Sequence, residues 1–166
     1  MEVSNENYNL MDELSKKYST HAIMEIGVSR NENGSFCNAI FKNKPDNIPY
    51  VGIDIVDKTY LNNSSKNIYT LHENSFNQIN VRNYLKQIGI DKLSMLVIDG
   101  DHSINAVIND WRYSDLLSDN GIVVFHDTNF HSGPTILVEA IDNTKFDVVK
   151  YFENNFDYGM CVAYKL

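Results

Sequence analysis

Five short apolar runs, spaced along the first three quarters of the chain, constrain what it can fold into more than any other feature. They are 22–28 (AIMEIGV), 50–56 (YVGIDIV), 68–72 (IYTLH), 94–99 (SMLVID) and 121–126 (GIVVFH). Each is rich in β-branched residues and lacks the polar alternation of a half-exposed strand, as expected when both faces of a parallel sheet are covered. Helical periods lie around and between them. In 77–88, Val81, Tyr84, Leu85 and Ile88 share one face, with Asn77 as cap and Gly89 just past the end. In 103–117, Ile104, Val107, Ile108 and Trp111 repeat that spacing behind a Ser103 N-cap. A shorter helix starts at Pro134, and a leading amphipathic helix spans 6–18 through Met11, Leu14 and Tyr18. Alternation of this kind dictates right-handed crossovers. The last two runs, 146–152 (FDVVKYF) and 160–166 (MCVAYKL), are joined by only ENNFDYG, too short for a crossover, so they pair antiparallel. The expectation is an α/β sandwich around a seven-stranded, mostly parallel sheet with an antiparallel C-terminal strand. It forms a single domain over 1–166, with its core over about 20–166.

Composition narrows the function classes. The 166 residues are 43% hydrophobic and 22% charged, ordinary for one globular domain. No apolar run approaches the roughly 20 residues of a membrane span, and MEVSNENYNLMDEL has no basic or apolar signal region, so a soluble cytoplasmic protein is expected. Lys plus Arg number 14 against 22 Asp plus Glu, a net charge of −8 with no dense basic cluster. Phosphate backbones need a basic footprint, so nucleic acid is not an expected partner and a small neutral or cationic ligand is. Cys37 and Cys161 form neither a CxxC metal pair nor a disulfide framework and read as buried thiols.

Open α/β sheets bind ligands beyond the carboxyl ends of their strands. Those ends carry Glu25 and Gly27, Asp54, Asn74-Ser75, Asp99-Gly-Asp101-His102 and His126-Asp127-Thr128, acidic at four of the five. Gly27 permits a turn and close approach of a ligand to the backbone. Glu25, inside an apolar strand, needs a partner or a raised pKa. It either accepts from a ligand ammonium, or caps a helix or pairs with Arg30. Asp54 either accepts from ribose hydroxyls or forms a turn. His102 is suited to proton removal near neutrality, with helix capping or stacking on a ligand as the alternative. His126 and Asp127, taken alone, order the loop around Thr128. His131, in the loop before Pro134, either reaches an acceptor or, as loop histidines more often are, is solvated. The glycines Gly27 and Gly34 make no GxGxxG, which counts against a nicotinamide-dinucleotide enzyme.

Taken together, MEIGVSRNENGS, YVGIDIV, LVIDGDHSINAVINDW and GIVVFHDT resemble the class I S-adenosylmethionine-dependent methyltransferases. Among these, the chain is most similar to the small-molecule O-methyltransferase branch that includes the catechol, macrocin and sugar enzymes. The resemblance spans about residues 20–165 and implies a Rossmann-like three-layer sandwich. It implies that Glu25 and Gly27 lie beside the methionine moiety of the cofactor, Glu25 near its amino group. It places Asp54 on the ribose, Ile55 on the adenine face, Ser75 and Phe76 at the adenine edge, and Asp99 at the methyl-donating end. It implies a divalent metal on Asp99, His126 and Asp127, and a general base at His102. Imidazole at position 126 departs from the oxygen ligands of the branch and points beyond Mg²⁺ to Mn²⁺, Fe²⁺ or Zn²⁺.

The expected activity is therefore methyl transfer to an oxygen of a small molecule or glycan, metal-assisted at Asp99. The near-bare core implies an open acceptor site or one completed by a second subunit of a homo-oligomer. An inactive module that binds the cofactor as a partner or sensor is the alternative.

Overall fold

The computed structural model describes residues 4–29, 35–154 and 157–166. Its seven strands are β1 (Ala22–Ile26), β2 (Tyr50–Asp54), β3 (Ile68–His72), β4 (Leu93–Ile98), β5 (Leu117–His126), β6 (Phe146–Tyr151) and β7 (Met160–Lys165). They form one sheet in the order β3-β2-β1-β4-β5-β7-β6. Pairing is parallel from β3 to β5; β7 is inserted between β5 and β6 and runs antiparallel to both. Among the described residues, five α-helices accompany it: α1 (Asn5–Tyr18), α2 (Phe36–Asn43), α3 (Gln78–Gln87), α4 (Ile104–Trp111) and α5 (Ser132–Ala140).

Strand parity divides the core. Leu96 and Ile98 of β4 join Val81 and Leu85 of α3, Val107 of α4 and Val138 of α5 on one side. Met95 and Val97 join Met11 and Leu14 of α1 and Phe36 and Ile40 of α2 on the other. This two-sided burial is why the runs read as continuous apolar sequence. Both cysteines are free and buried. No helix among the described residues is long and apolar enough to cross a membrane.

Three local expectations need correction. The helix over 103–117 stops at Trp111 and passes through a 3₁₀ turn, Arg112–Leu116. There β5 begins, at 117 rather than 121, with its register to β4 shifted where Asn120 takes φ +60°. The buried face of α4 is Ala106, Val107, Asn109 and Asp110, whereas Ile104 and Ile108 are exposed. Hydrogen bonds hold these polar groups inward: Gln78 Nε2 donates to Asn109 Oδ1 at 3.2 Å, and Asn109 Nδ2 donates to Asp110 Oδ1 at 3.1 Å. Finally, α2 went unread, although Phe36, Cys37, Ala39 and Ile40 supply a buried stripe over its two turns. The Ser103 and Asn77 caps are as expected, accepting from the N–H groups of Ala106 and Asn80.

Candidate functional site

The strand order reverses between β1 and β4, and a cavity of about 730 Å³ opens at the carboxyl ends of β1, β2, β4 and β5. Gly27, Asp54, Ser75, Phe76, Asp99 and Asp127 are among its lining residues. A switch-point crevice of this size is where a doubly wound sheet accommodates a nucleoside-sized ligand.

Gly27 ends β1 at φ +83°, and a Cβ there would lie 2.3 Å from the backbone oxygen of Asp99. Only glycine lets the loops after β1 and β4 touch in this way. Asp54 ends β2, forms the expected turn and also lines the cavity. Its Oδ1 accepts from the N–H of Val56 at 2.7 Å in a turn, while the side chain lines the cavity. Its Oδ2 lies 3.9 Å from Nζ of the buried Lys58. Ile55 and Phe76 also line the cavity, yet are 70% and 52% exposed. Large apolar groups left so open at a cavity rim offer a surface to a flat ligand. Ser75 is held from behind by Tyr113, whose hydroxyl donates to its carbonyl oxygen at 2.7 Å.

The far end of the cavity gathers two carboxylates and two imidazoles. His126 Nδ1 is 3.0 Å from Asp99 Oδ1 and 3.2 Å from Asp127 Oδ2. His102 Nε2 is 2.9 Å from Asp127 Oδ2 and 3.9 Å from Asp99 Oδ1. Asp127 adopts φ +60°, a strained conformation for a non-glycine residue that turns its carboxylate toward both rings. The neighbouring carboxylates of Asp127 and Asp99 push His102 up to about 9. Burial works against the charged form of His126, but the same carboxylates outweigh it and push that ring up to about 10. Burial likewise opposes ionisation of Asp127, yet the two imidazoles hold it well below the usual carboxylate range.

Among the described residues, two sets of side chains have the spacing of a metal site: Asp99, His126 and Asp127, and His102, Asp127 and His131. The His102 and His131 rings are stacked, with centroids 4.4 Å apart and planes at 13°. Imidazole lone pairs lie in the ring plane, so two nearly parallel rings cannot both point at one ion. The first set has no such obstacle, and its 3.0–3.2 Å separations match adjacent ligand atoms around one small cation. Asp127 Oδ1, buried without a partner, adds a spare oxygen. Ligation through Nδ1 requires a hydrogen on Nε2, which faces the Asn7 amide nitrogen at 3.2 Å. Rotating that amide would present Asn7 Oδ1, now buried and unpartnered, at the expense of the Asn7–Asp157 bond.

Glu25 departs from its expected place. Parity puts it with Ile23 on the α1/α2 side, where it is fully buried and does not line the cavity. Its Oε2 accepts from the Tyr50 hydroxyl, and Oε1 has no partner. Gly52 on the neighbouring strand leaves the space for this bond, since a Cβ there would meet Val28 at 2.7 Å and the Tyr50 hydroxyl at 3.0 Å. Burial pushes the carboxyl up to about 8. The alternative partner Arg30, and Gly34, lie outside the described residues.

Sequence reading passed over Asn7, Lys58 and Asp110 and placed His131 more readily in solvent. Asp110 carried a visible signal, three residues after Val107 on the buried face of α4. Asn7 did not, because its partner His126 is 119 residues away.

A family model described as a methyltransferase domain matches residues 25–128. No curated protein sequence matches the chain. Among solved structures, it is similar to the MycE methyltransferase of the mycinamycin biosynthetic pathway, solved with Mg, SAH and mycinamycin VI. That match has TM-score 0.70 and 15% identity, covering 95% of this chain and 48% of that one. The chain thus spans about half the length of that protein. An O-methyltransferase from Bacillus cereus, solved with SAH, matches with TM-score 0.70 and 11% identity, covering 99% and 83%. At such identities the likeness is one of fold.

Proposed function

Because the chain belongs to the methyltransferase domain family, we propose that it transfers a methyl group from S-adenosylmethionine to an oxygen of a small molecule or sugar. One observation carries the reading: a single cavity has the Asp54 carboxylate at one strand end and the Asp99–His102–His126–Asp127 cluster at others. The cofactor supplies an electrophilic methyl on a sulfonium, which becomes a neutral thioether as the acceptor oxygen takes the methyl. Proteins of this fold solved with SAH, one of them also with Mg, support that choice.

The chain's own residues bind, align and move a proton. Asp54 Oδ2 accepts from ribose hydroxyls, and Ile55 and Phe76 cover the adenine. Gly27 admits the amino-acid part of the cofactor against the backbone. The Asp99 carboxylate faces the sulfonium end, where a negative charge favours binding of a cation. His102, in its neutral form, takes the proton that the acceptor hydroxyl loses. Asp99, His126 and Asp127 would hold a divalent cation, whose chemistry there is to orient the acceptor hydroxyl and lower its pKa. Much of the rate comes from holding acceptor and methyl in line.

Calorimetry with S-adenosylmethionine and S-adenosylhomocysteine, followed by a methyl-release assay over hydroxylated acceptors and glycans, tests the proposal. Binding with turnover on a hydroxyl acceptor supports it, and binding of neither nucleoside refutes it. Tight binding with no turnover on any acceptor favours a cofactor-binding module instead.

A further inference from the structure

His126 uses its two ring nitrogens on opposite sides. Nδ1 faces the carboxylates of Asp99 and Asp127, and Nε2 faces the Asn7 side chain at 3.2 Å. The ring is 3% exposed, with Phe36 packed edge-on against it at 5.1 Å and 85°, so water has little access to Nε2. Asn7 is itself fully buried in the first turn of α1. Its Nδ2 donates to Asp157 Oδ1 at 3.2 Å, and its Oδ1 has no partner. Asp157 does not depend on that bond. Its Oδ1 also accepts from the N–H of Gly159 at 2.8 Å, and its Oδ2 from the hydroxyl of Ser4, the N-cap of α1, at 2.9 Å. Both Asn7 and Asp157 lie outside residues 25–128, the stretch matched by the methyltransferase model.

A ring that binds an ion through Nδ1 carries its hydrogen on Nε2 and needs an acceptor there. As it stands, the Asn7 amide turns a donor to that nitrogen. Half a turn of the amide, which exchanges two atoms of nearly equal size, brings Oδ1 to Nε2. The cost is the Asn7–Asp157 bond, and Asp157 keeps its other two donors. The gain is a charge-assisted bond, because Nε2–H is polarised when the ring is bound through Nδ1. We propose that Asn7 is a positioning residue of the cation site: its Oδ1 accepts from His126 Nε2–H and so aims Nδ1 at an ion shared with Asp99 and Asp127. The inference rests on the cation reading above. It makes α1, a helix that supplies none of the candidate ligands among the described residues, part of what sets ion affinity.

The test titrates the full chain with Mn²⁺ by calorimetry, and with diamagnetic Zn²⁺ while the His126 Nε2–H proton is followed by NMR. The chain is measured as wild type, Asn7→Leu, Asn7→Asp/Asp157→Asn and Ser4→Ala. Asn7→Leu fills much the same space without an acceptor. It should lose about 10–100-fold in Mn²⁺ affinity, the usual effect of removing the partner of a ligating histidine. The paired exchange keeps the net charge and puts at position 7 a carboxylate that can only accept, so it should bind at least as tightly as wild type. With Zn²⁺ bound, the Nε2–H proton should lie downfield in wild type and in the exchange, and move upfield in Asn7→Leu. Ser4→Ala removes the hydroxyl that ties α1 to Asp157 but leaves the amide, and its affinity should match wild type. Unchanged affinity in Asn7→Leu overturns the inference. So does a loss in the exchange or in Ser4→Ala equal to that of Asn7→Leu, since docking of α1 would then be the cause. Where Asn7→Leu does not fold, the affinity of the exchange and the position of the Nε2–H proton in wild type decide. A wild type that binds neither ion overturns the cation reading, and the inference with it, whereas S-adenosylhomocysteine binding tests the methyl-transfer reading separately.

Discussion

Glu25→Gln offers the most direct check on how β1 is built. The Glu25 carboxyl is fully buried and its pKa is raised from 4.5 to about 8, burial being the main cause and the Tyr50 hydroxyl and Lys58 opposing it. Below pH 4.5 both folded and unfolded chains hold the proton, and the group adds no pH dependence. Between 4.5 and 8 the unfolded chain releases its proton while the folded chain keeps it, so stability falls as pH rises. Above 8 the loss is complete. At about 1.4 kcal/mol per pH unit, the interval sums to about 5 kcal/mol as an upper bound, against about 5–15 kcal/mol for a whole domain. Glutamine keeps an acceptor for Tyr50 and cannot ionise. It exchanges the unpartnered oxygen for an unpartnered N–H group, a pH-independent cost of about 1–3 kcal/mol. Urea unfolding of wild type and Glu25→Gln from pH 5 to pH 8.5 should therefore give curves that converge or cross, with the variant gaining about 3–5 kcal/mol relative to wild type across the range. Parallel curves would refute the reasoning, since they would mean that Glu25 ionises as freely in the fold as in water.

Other perturbations separate the remaining roles. Asp54→Asn keeps the turn acceptor but removes the charge, and should weaken S-adenosylhomocysteine binding roughly tenfold in calorimetry; unchanged affinity would remove Asp54 from the ribose. Gly27→Ala adds a Cβ 2.3 Å from the Asp99 oxygen at a positive φ and should cost roughly 3 kcal/mol in denaturant unfolding; a loss well under 1 kcal/mol would mean that the two loops part easily. Titration with Mn²⁺ or Co²⁺ should lose at least about tenfold in affinity in Asp127→Asn and stay unchanged in His131→Ala. A loss in His131→Ala would instead favour the stacked pair as ligands.

The parts of this protein legible in its sequence are those governed by short-range periodicity. Apolar runs announced every strand, although at the edges β3 and β6 are only partly covered, and caps such as Ser103 and Asn77 marked helix starts. The terminal pairing followed from a connection too short to cross over, although the insertion of β7 between β5 and β6 is visible only in the sheet. Legibility failed where polar groups overrode the apolar pattern. On α4 the stripe Ile104–Ile108 looked like the core face, yet the directed bonds of Asn109 and Asp110 took that side instead. It failed also where partners lie far apart in sequence, as with Asn7 and His126.

Glu25 shows a third limit, one of parity. An acidic residue near a strand end is expected at the ligand, but a cavity above a parallel sheet is lined chiefly by residues at or beyond the strand ends. Ile26, Gly27, Asp54, Ile55, Asp99 and Asp127 satisfy that condition, and all line the cavity. Glu25 stands one step earlier, where the pleat still assigns each side chain to one face of the sheet, and its face is covered by α1 and α2. A fully buried carboxyl so placed acts on the site through the shape of β1, not by touching what the cavity holds. Its substitution should accordingly move the pH dependence of folding far more than the affinity for a nucleoside.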